Sequence, residues 1–123
     1  MKFTQQSPQG VNLIRRYGAD FIVVGEQEIR SSCIVGVNTL VPWSPRSVEE
    51  LGPEHLPALF ELSPEVVVLA TGAVQKFPRA ALRAEFATRR IGLEVMEIGA
   101  AARTYNVLVS EERKVLCAVL LPG

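Results

Sequence analysis

Arg103, Thr104 and Asn106 fall within one short segment, Arg103-Thr104-Tyr105-Asn106, directly after the small-residue run Ala100-Ala101-Ala102. Small residues permit close packing, and a polar group buried in such a region without a partner costs roughly 1–3 kcal/mol. These side chains must therefore satisfy one another or line a wet pocket. The guanidinium of Arg103, one turn beyond Gly99, can present a two-pronged donor to a carboxylate or phosphate. It can equally pair with Glu97 or Glu94 and lock a helix to its sheet. Asn106 has the character of a helix-to-loop hydrogen-bonding residue.

Two glycine-containing loops should meet this segment. Ala70-Thr71-Gly72-Ala73 follows the apolar run Val66 to Ala70, and Glu97-Ile98-Gly99 follows Leu93 to Met96. In an open α/β sheet, ligands bind outside the carboxyl ends of strands whose connections diverge, and glycine exposes amide donors there. Thr71, Gly72, Gln75, Glu97, Gly99, Arg103 and Asn106 are thus the candidate ligand-binding set, suited to a small anion or a carbonyl oxygen. Gly72 is not followed by the lysine and hydroxyl pair of a phosphate loop, which removes support for nucleotide hydrolysis. No acid-base or nucleophile set is recognisable, so no catalytic residue is assigned.

A second group recurs at helical spacing. Lys76, Arg79, Arg83 and Arg90 lie three, four and seven residues apart and should share one face of a helix. That face is either solvated or the binding surface for a partner with an acidic patch. Glu85 and Arg89 offer ordinary i,i+4 support to the same helix. Trp43, between Pro42 and Ser44-Pro45, is either a lid over the core or an exposed partner anchor. Gln75 and Lys76 can close over the glycine loops or face solvent, and His55 is expected at the surface.

The elements that carry these residues follow from hydrophobic patterning. Residues 1–11 are polar, contain Pro8 and Gly10, and are expected to be a flexible lead-in to a single α/β domain over 12–123. Leu13-Ile14, Phe21 to Val24 and Ile29, punctuated by Gly18 and Gly25, predict an antiparallel meander, with further strands at Cys33 to Val37 and Leu40-Val41. A capped turn at Ser47 and a short helix near 53–60 come next. Val66 to Ala70 lacks polar alternation and predicts a strand covered on both faces. A helix over 79–90 with Leu82 and Phe86 inward, then the strand Leu93 to Met96, completes a right-handed βαβ crossover. A second helix, roughly 100–109, leads to a strand over 115–121 whose direction its residues leave open.

The chain has 123 residues, 48% of them hydrophobic, with 13 basic and 13 acidic side chains. The balance and a pI near 6.6 lack the basic excess of a nucleic-acid binder. No segment approaches the roughly 18–20 apolar residues of a spanning helix, and the first residues lack a signal-peptide core, so membrane insertion is not expected and the location is expected to be cytoplasmic. Cys33 and Cys117 sit among apolar neighbours, as buried thiols in a reducing compartment do, although a disulfide between them stays open. One histidine and no close cysteine pair leave too few ligands for zinc. No metal and no cofactor are implied.

The order Val66 to Gly72, Gln75 to Pro78, Gly92 to Met96, Ala100 to Leu108 and Glu112 to Val115 resembles a small conserved domain of unknown function. Bacterial and archaeal proteins share that domain with the mitochondrial respiratory complex I (NADH dehydrogenase) assembly factor. The resemblance implies a three-layer α/β fold: a mixed central sheet, helices on the sheet and an additional N-terminal β-meander layer. It implies no established enzymatic activity. Ala70 departs from a common glycine, and Ile98 from a common threonine that would cap the following helix. Gly99 must then serve, or the first amides need another acceptor.

The leading reading is a non-catalytic binding or assembly factor with a protein partner. The alternative is a protein that binds an anionic small molecule, or an enzyme acting on one, with its crevice at Thr71-Gly72 and Gly99-Arg103. A homodimer through a self-complementary edge is a third reading.

Overall fold

The structure, a computed structural model, describes residues 10–123; residues 1–9 of the expected lead-in lie outside them. β1 (Ile14–Gly18), β2 (Phe21–Val24) and β3 (Gln27–Ile29) form an antiparallel three-stranded meander. β4 (Ser31–Gly36) and β5 (Thr39–Pro42) form a separate hairpin. Two-residue turns, Ala19-Asp20, Gly25-Glu26 and Val37-Asn38, close these three hairpins. Two 3-10 turns, Val48–Glu50 and Pro53–His55, and the single helical turn α1 (Pro57–Phe60) follow. Then come β6 (Val66–Ala70), α2 (Ala80–Thr88), β7 (Gly92–Met96), α3 (Ile98–Ser110) and β8 (Val115–Pro122).

The second sheet is mixed, in the order β5-β4-β8-β6-β7. β8 pairs parallel to β6 and antiparallel to β4, which resolves the direction its residues left open. β6 and β7 are parallel and joined through α2, the expected βαβ crossover. The chain then returns through α3 past β6 to reach β8. Right-handed crossovers running in opposite directions put their helices on opposite faces of a sheet. Side-chain alternation follows from that: Val66, Val68, Ala70, Cys117, Val119 and Leu121 join the α3 core, while Val67, Leu69, Leu116, Ala118 and Leu120 join the α2 core.

Each core needs a further cover. On the α2 side it comes from Leu51, Leu56, Leu59 and Trp43. Trp43 is 7% exposed and donates from Nε1 to the His55 carbonyl at 3.1 Å, so it is the lid over the core and not a surface anchor. His55, expected at the surface, is half-buried. Its Nδ1 accepts from Gly52 N at 2.9 Å, and its ring stands edge-on to Trp43. Ser47 caps the first 3-10 turn, accepting from Glu50 N at 3.3 Å. On the α3 side the cover is the meander, which turns Ile14, Ile22, Val24 and Ile29 inward.

Two buried polar residues fasten the hairpin β4-β5. Asn12, 1% exposed, donates from Nδ2 to the carbonyls of Gly36 (3.1 Å) and Thr39 (3.0 Å). Ser32 accepts from Leu121 N at 2.8 Å and donates to Leu121 O at 3.2 Å, where the β4-β8 register shifts. A hydroxyl thus replaces backbone partners that a bulge would leave unpaired.

Cys33 and Cys117 are free and fully buried on neighbouring strands. Burial pushes the Cys33 thiol up to about 12 and raises that of Cys117 further, its neighbour Cys33 adding to the effect. Only the thiolate reacts. The native protein should therefore release no chromophore from an aromatic disulfide reagent near pH 8, whereas the denatured protein should titrate both thiols.

Candidate functional site

The carboxyl ends of β6 and β7 meet as expected, but they are bonded directly to each other. Thr71 N donates to Met96 O at 2.9 Å, and Ile98 N donates to Gly72 O at 2.8 Å. Gly72 reaches this position with φ +94, a conformation that side-chain-bearing residues rarely adopt. Thr71 Oγ1 donates to Val74 O at 2.7 Å and accepts from Lys76 N at 3.1 Å. Gln75 Nε2 donates to Val95 O at 2.8 Å. Thr71 and Gln75 thereby hold the 71–77 loop against the sheet.

α3 begins at Ile98, earlier than its sequence suggests, because Glu97 caps it. The Glu97 carboxylate accepts from Gly99 N and Ala100 N, each at 2.7 Å. These donors, Gly99 N–H first and Ala100 N–H second, hold the carboxyl below the usual range; partial burial opposes them and the Arg103 charge adds to them. The amide donors expected to receive an anion are thus occupied by an anion of the chain itself. A Cβ at Gly99 would stand 2.9 Å from the Tyr17 ring and 3.1 Å from Glu97 Oε1, so only glycine admits this arrangement unshifted. An external anion in this crevice would have to displace Glu97.

Arg103 pairs with neither Glu97 nor Glu94 among the described ion pairs. Its Nη1 donates to Tyr17 Oη at 2.7 Å, on the meander. Tyr105, wholly buried, donates to Asn12 O at 2.7 Å. Asn106 spans one residue of β1: Oδ1 accepts from Ile14 N at 3.0 Å and Nδ2 donates to Ile14 O at 2.9 Å. Three of the four residues in Arg103-Thr104-Tyr105-Asn106 therefore bind the N-terminal layer to α3. Asn106 imitates a neighbouring strand for Ile14 and does not share the crevice with Thr71 and Gly72.

The basic residues are partly committed. Arg79 Nη2 donates to Leu51 O at 3.4 Å, Arg83 Nε to Pro78 O at 3.2 Å, and Lys76 pairs with Glu49 at 3.4 Å. Arg90 follows α2 with a left-handed φ of 60. Arg89 lies over the Phe60 ring at 4.4 Å. Beside them stand two large apolar side chains that sequence reasoning passed over, Val74 (63% exposed) and Phe77 (62% exposed). Their signal was an aliphatic and an aromatic residue inside a polar loop, the aromatic immediately before Pro78.

Residues 14–120 match a protein family described as a protein of unknown function, DUF498/DUF598. The chain belongs to this family. An NMR structure of a Xanthomonas campestris protein, 40% identical, superposes with a TM-score of 0.86, covering 100% of this chain and 94% of that one. Zebrafish NADH dehydrogenase [ubiquinone] 1 alpha subcomplex assembly factor 3 is 28% identical over 120 residues, 96% of this chain and 69% of its own length. A Francisella tularensis protein named 13 kDa major membrane protein is 27% identical over 73 residues, 59% of each chain. The DUF498 chain described above thus spans less than two thirds of the length of one of these curated relatives. Among its described residues no helix is long and apolar enough to cross a membrane, which says nothing of strands.

Asn106→Ala should remove both bonds to Ile14 and lower stability by about 2–3 kcal/mol in urea unfolding, since two backbone groups lose their partner. Glu97 makes a different prediction. Its folded pKa is depressed, so its contribution is complete above the unfolded value of about 4.3 and is lost as pH falls through the folded value. Melting curves should show Glu97→Gln less stable than wild type near neutrality, with the gap closing as acid protonates the wild-type carboxylate.

Proposed function

We propose that this chain is a non-catalytic binding protein that docks a protein partner through the 73–79 loop and the basic face of α2. The observation that carries this reading is the exposure of Val74 and Phe77 on a hydrogen-bonded loop. Both are exposed by more than 60%, yet their loop is pinned through Thr71 and Gln75. A bonded loop loses less conformational entropy on binding than a free one, and exposed aromatic side chains dominate interface energetics. The cations Lys76, Arg79, Arg83 and Arg90 form the polar rim, and an acidic patch is the matching chemistry. Phe77 takes the anchoring role first considered for Trp43.

The relative named as an NADH dehydrogenase assembly factor supports the class of role, assembly. A cytoplasmic location belongs to the same reading, in keeping with two buried free thiols. The site around Glu97 and Arg103 serves the fold in this account.

Affinity capture from native lysate tests it. Phe77→Ser should weaken recovery of the captured protein by roughly thirtyfold in affinity, the loss of an anchor worth about 2 kcal/mol. Arg79→Glu/Arg83→Glu should weaken it further and abolish its salt sensitivity, while Arg103→Ala leaves it unchanged. Equal recovery by wild type and Phe77→Ser would sink the reading.

A further inference from the structure

The loop that carries Phe77 borders an open sheet edge. Among the described residues β7 pairs only with β6, on one side. Gly92 N bonds to Glu65 O and Met96 O receives Thr71 N, so the even-numbered residues of β7 address β6. In a strand the backbone groups of alternate residues point to opposite sides, which turns those of Leu93 and Val95 outward. The bond from Gln75 to Val95 O, made from that outer side, agrees. Leu93 N–H, Leu93 C=O and Val95 N–H remain directed away from the sheet.

The space in front of this edge is a groove of about 490 Å³ between β7 and α2, lined by Gln75, Phe77, Arg83, Ala87, Leu93 and Val95 among others. Its helix wall carries Arg83 and Ala87, while Arg79 and Arg90 flank the two ends of α2. Phe77 stands at one end. Glu94 also borders the groove, but its side chain alternates toward the α3 face, where it adjoins Thr104 and Arg113. The two faces of the edge therefore differ in charge. The opposite edge is unlike it, because β5 ends in Pro42, which has no donor.

We infer that β7 accepts an extended segment of the partner as an added strand, with acidic and apolar side chains on the α2 face and neutral or basic ones opposite Glu94. The inference rests on the interface proposed above and names its mode of recognition. Backbone bonds to Leu93 and Val95 supply register, Phe77 and the groove select apolar side chains, and Arg83 in the groove wall, with Arg79 and Arg90 at the helix ends, selects acidic ones. A second copy of this chain is a poorer occupant. Two-fold pairing of β7 with itself would set the Arg83 wall of one groove beside that of the other on the shared α2 face, and like charges across a junction are unfavourable.

The probe is a displayed library of random ten-residue peptides, selected on the intact protein and followed by amide hydrogen exchange with the selected peptide. Selected sequences should alternate, with Asp or Glu and apolar residues on one face. The Leu93 and Val95 amides, fast in the free protein, should exchange at least roughly tenfold more slowly in the complex. Val95→Pro, which removes an outward donor and leaves the β6 pairing, should lower affinity roughly tenfold, as should Arg83→Glu. If Val95→Pro fails to fold, the wild-type exchange result decides alone. Peptides that need Phe77 but leave both amides fast would overturn strand addition and keep the interface. Peptides that slow both amides while ignoring Phe77→Ser would overturn the interface reading and keep the strand. Amides already protected in the free protein, in step with a dimer mass by light scattering, would make a second copy the occupant and overturn the proposal. Recovery of no peptide would overturn both.

Discussion

Two strands without polar alternation, β6 and β8, determine what the rest of the molecule must do. Each is buried on both faces, so the sheet has to be covered twice, and a residue shifted by one position would enter the wrong core. The crossovers satisfy this by sending α2 and α3 to opposite sides. Neither helix is wide enough alone. The 3-10 turns and Trp43 complete one cover and the meander completes the other, so the three-layer α/β architecture follows from the apolar runs at its centre.

The meander is the less secure cover, since sheet packing is non-directional. Its position relies on polar bonds from α3, made by Arg103, Tyr105 and Asn106 to Tyr17, Asn12 and Ile14. Burial raises the Tyr105 phenol above its ordinary range and keeps it a proton donor. This explains why a segment dense in polar groups need not be chemical. The neighbouring loops obey the same economy: Glu97 fills the anion site, Thr71 folds its own loop, and Gln75 occupies one acceptor of the sheet edge. Facing solvent at that end are Val74, Lys76, Phe77 and the arginines in and beside α2.

Much of this was legible in the residues. The β6-α2-β7 crossover could be read because its apolar runs are separated by clear punctuation, and the meander because its turns carry Gly18 and Gly25. The start of α3 was misjudged because Ile98 has no capping oxygen, and a glutamate reaching its own helix amides was not considered. The two alternatives for Trp43 and the inward turn of the His55 ring escape the sequence for a related reason. Prolines on either side mark a turn but do not say whether its ring points inward. The bonds of Asn106 and Tyr105 cross more than ninety residues, a relation that no local pattern encodes. Phe77 lies within the Gln75 to Pro78 segment of the family resemblance, yet its exposure depends on how Thr71 and Gln75 fold the loop.

The place of β8 has a consequence for how the molecule comes into being. β4 and β6 never touch as strands; each pairs with β8, which follows both in the chain. At ribosomal speeds β4 emerges on the order of several seconds before the strand that completes it. During that interval the hairpin and β6 expose apolar edges with nothing native to bind. The keystone of the arch is laid last.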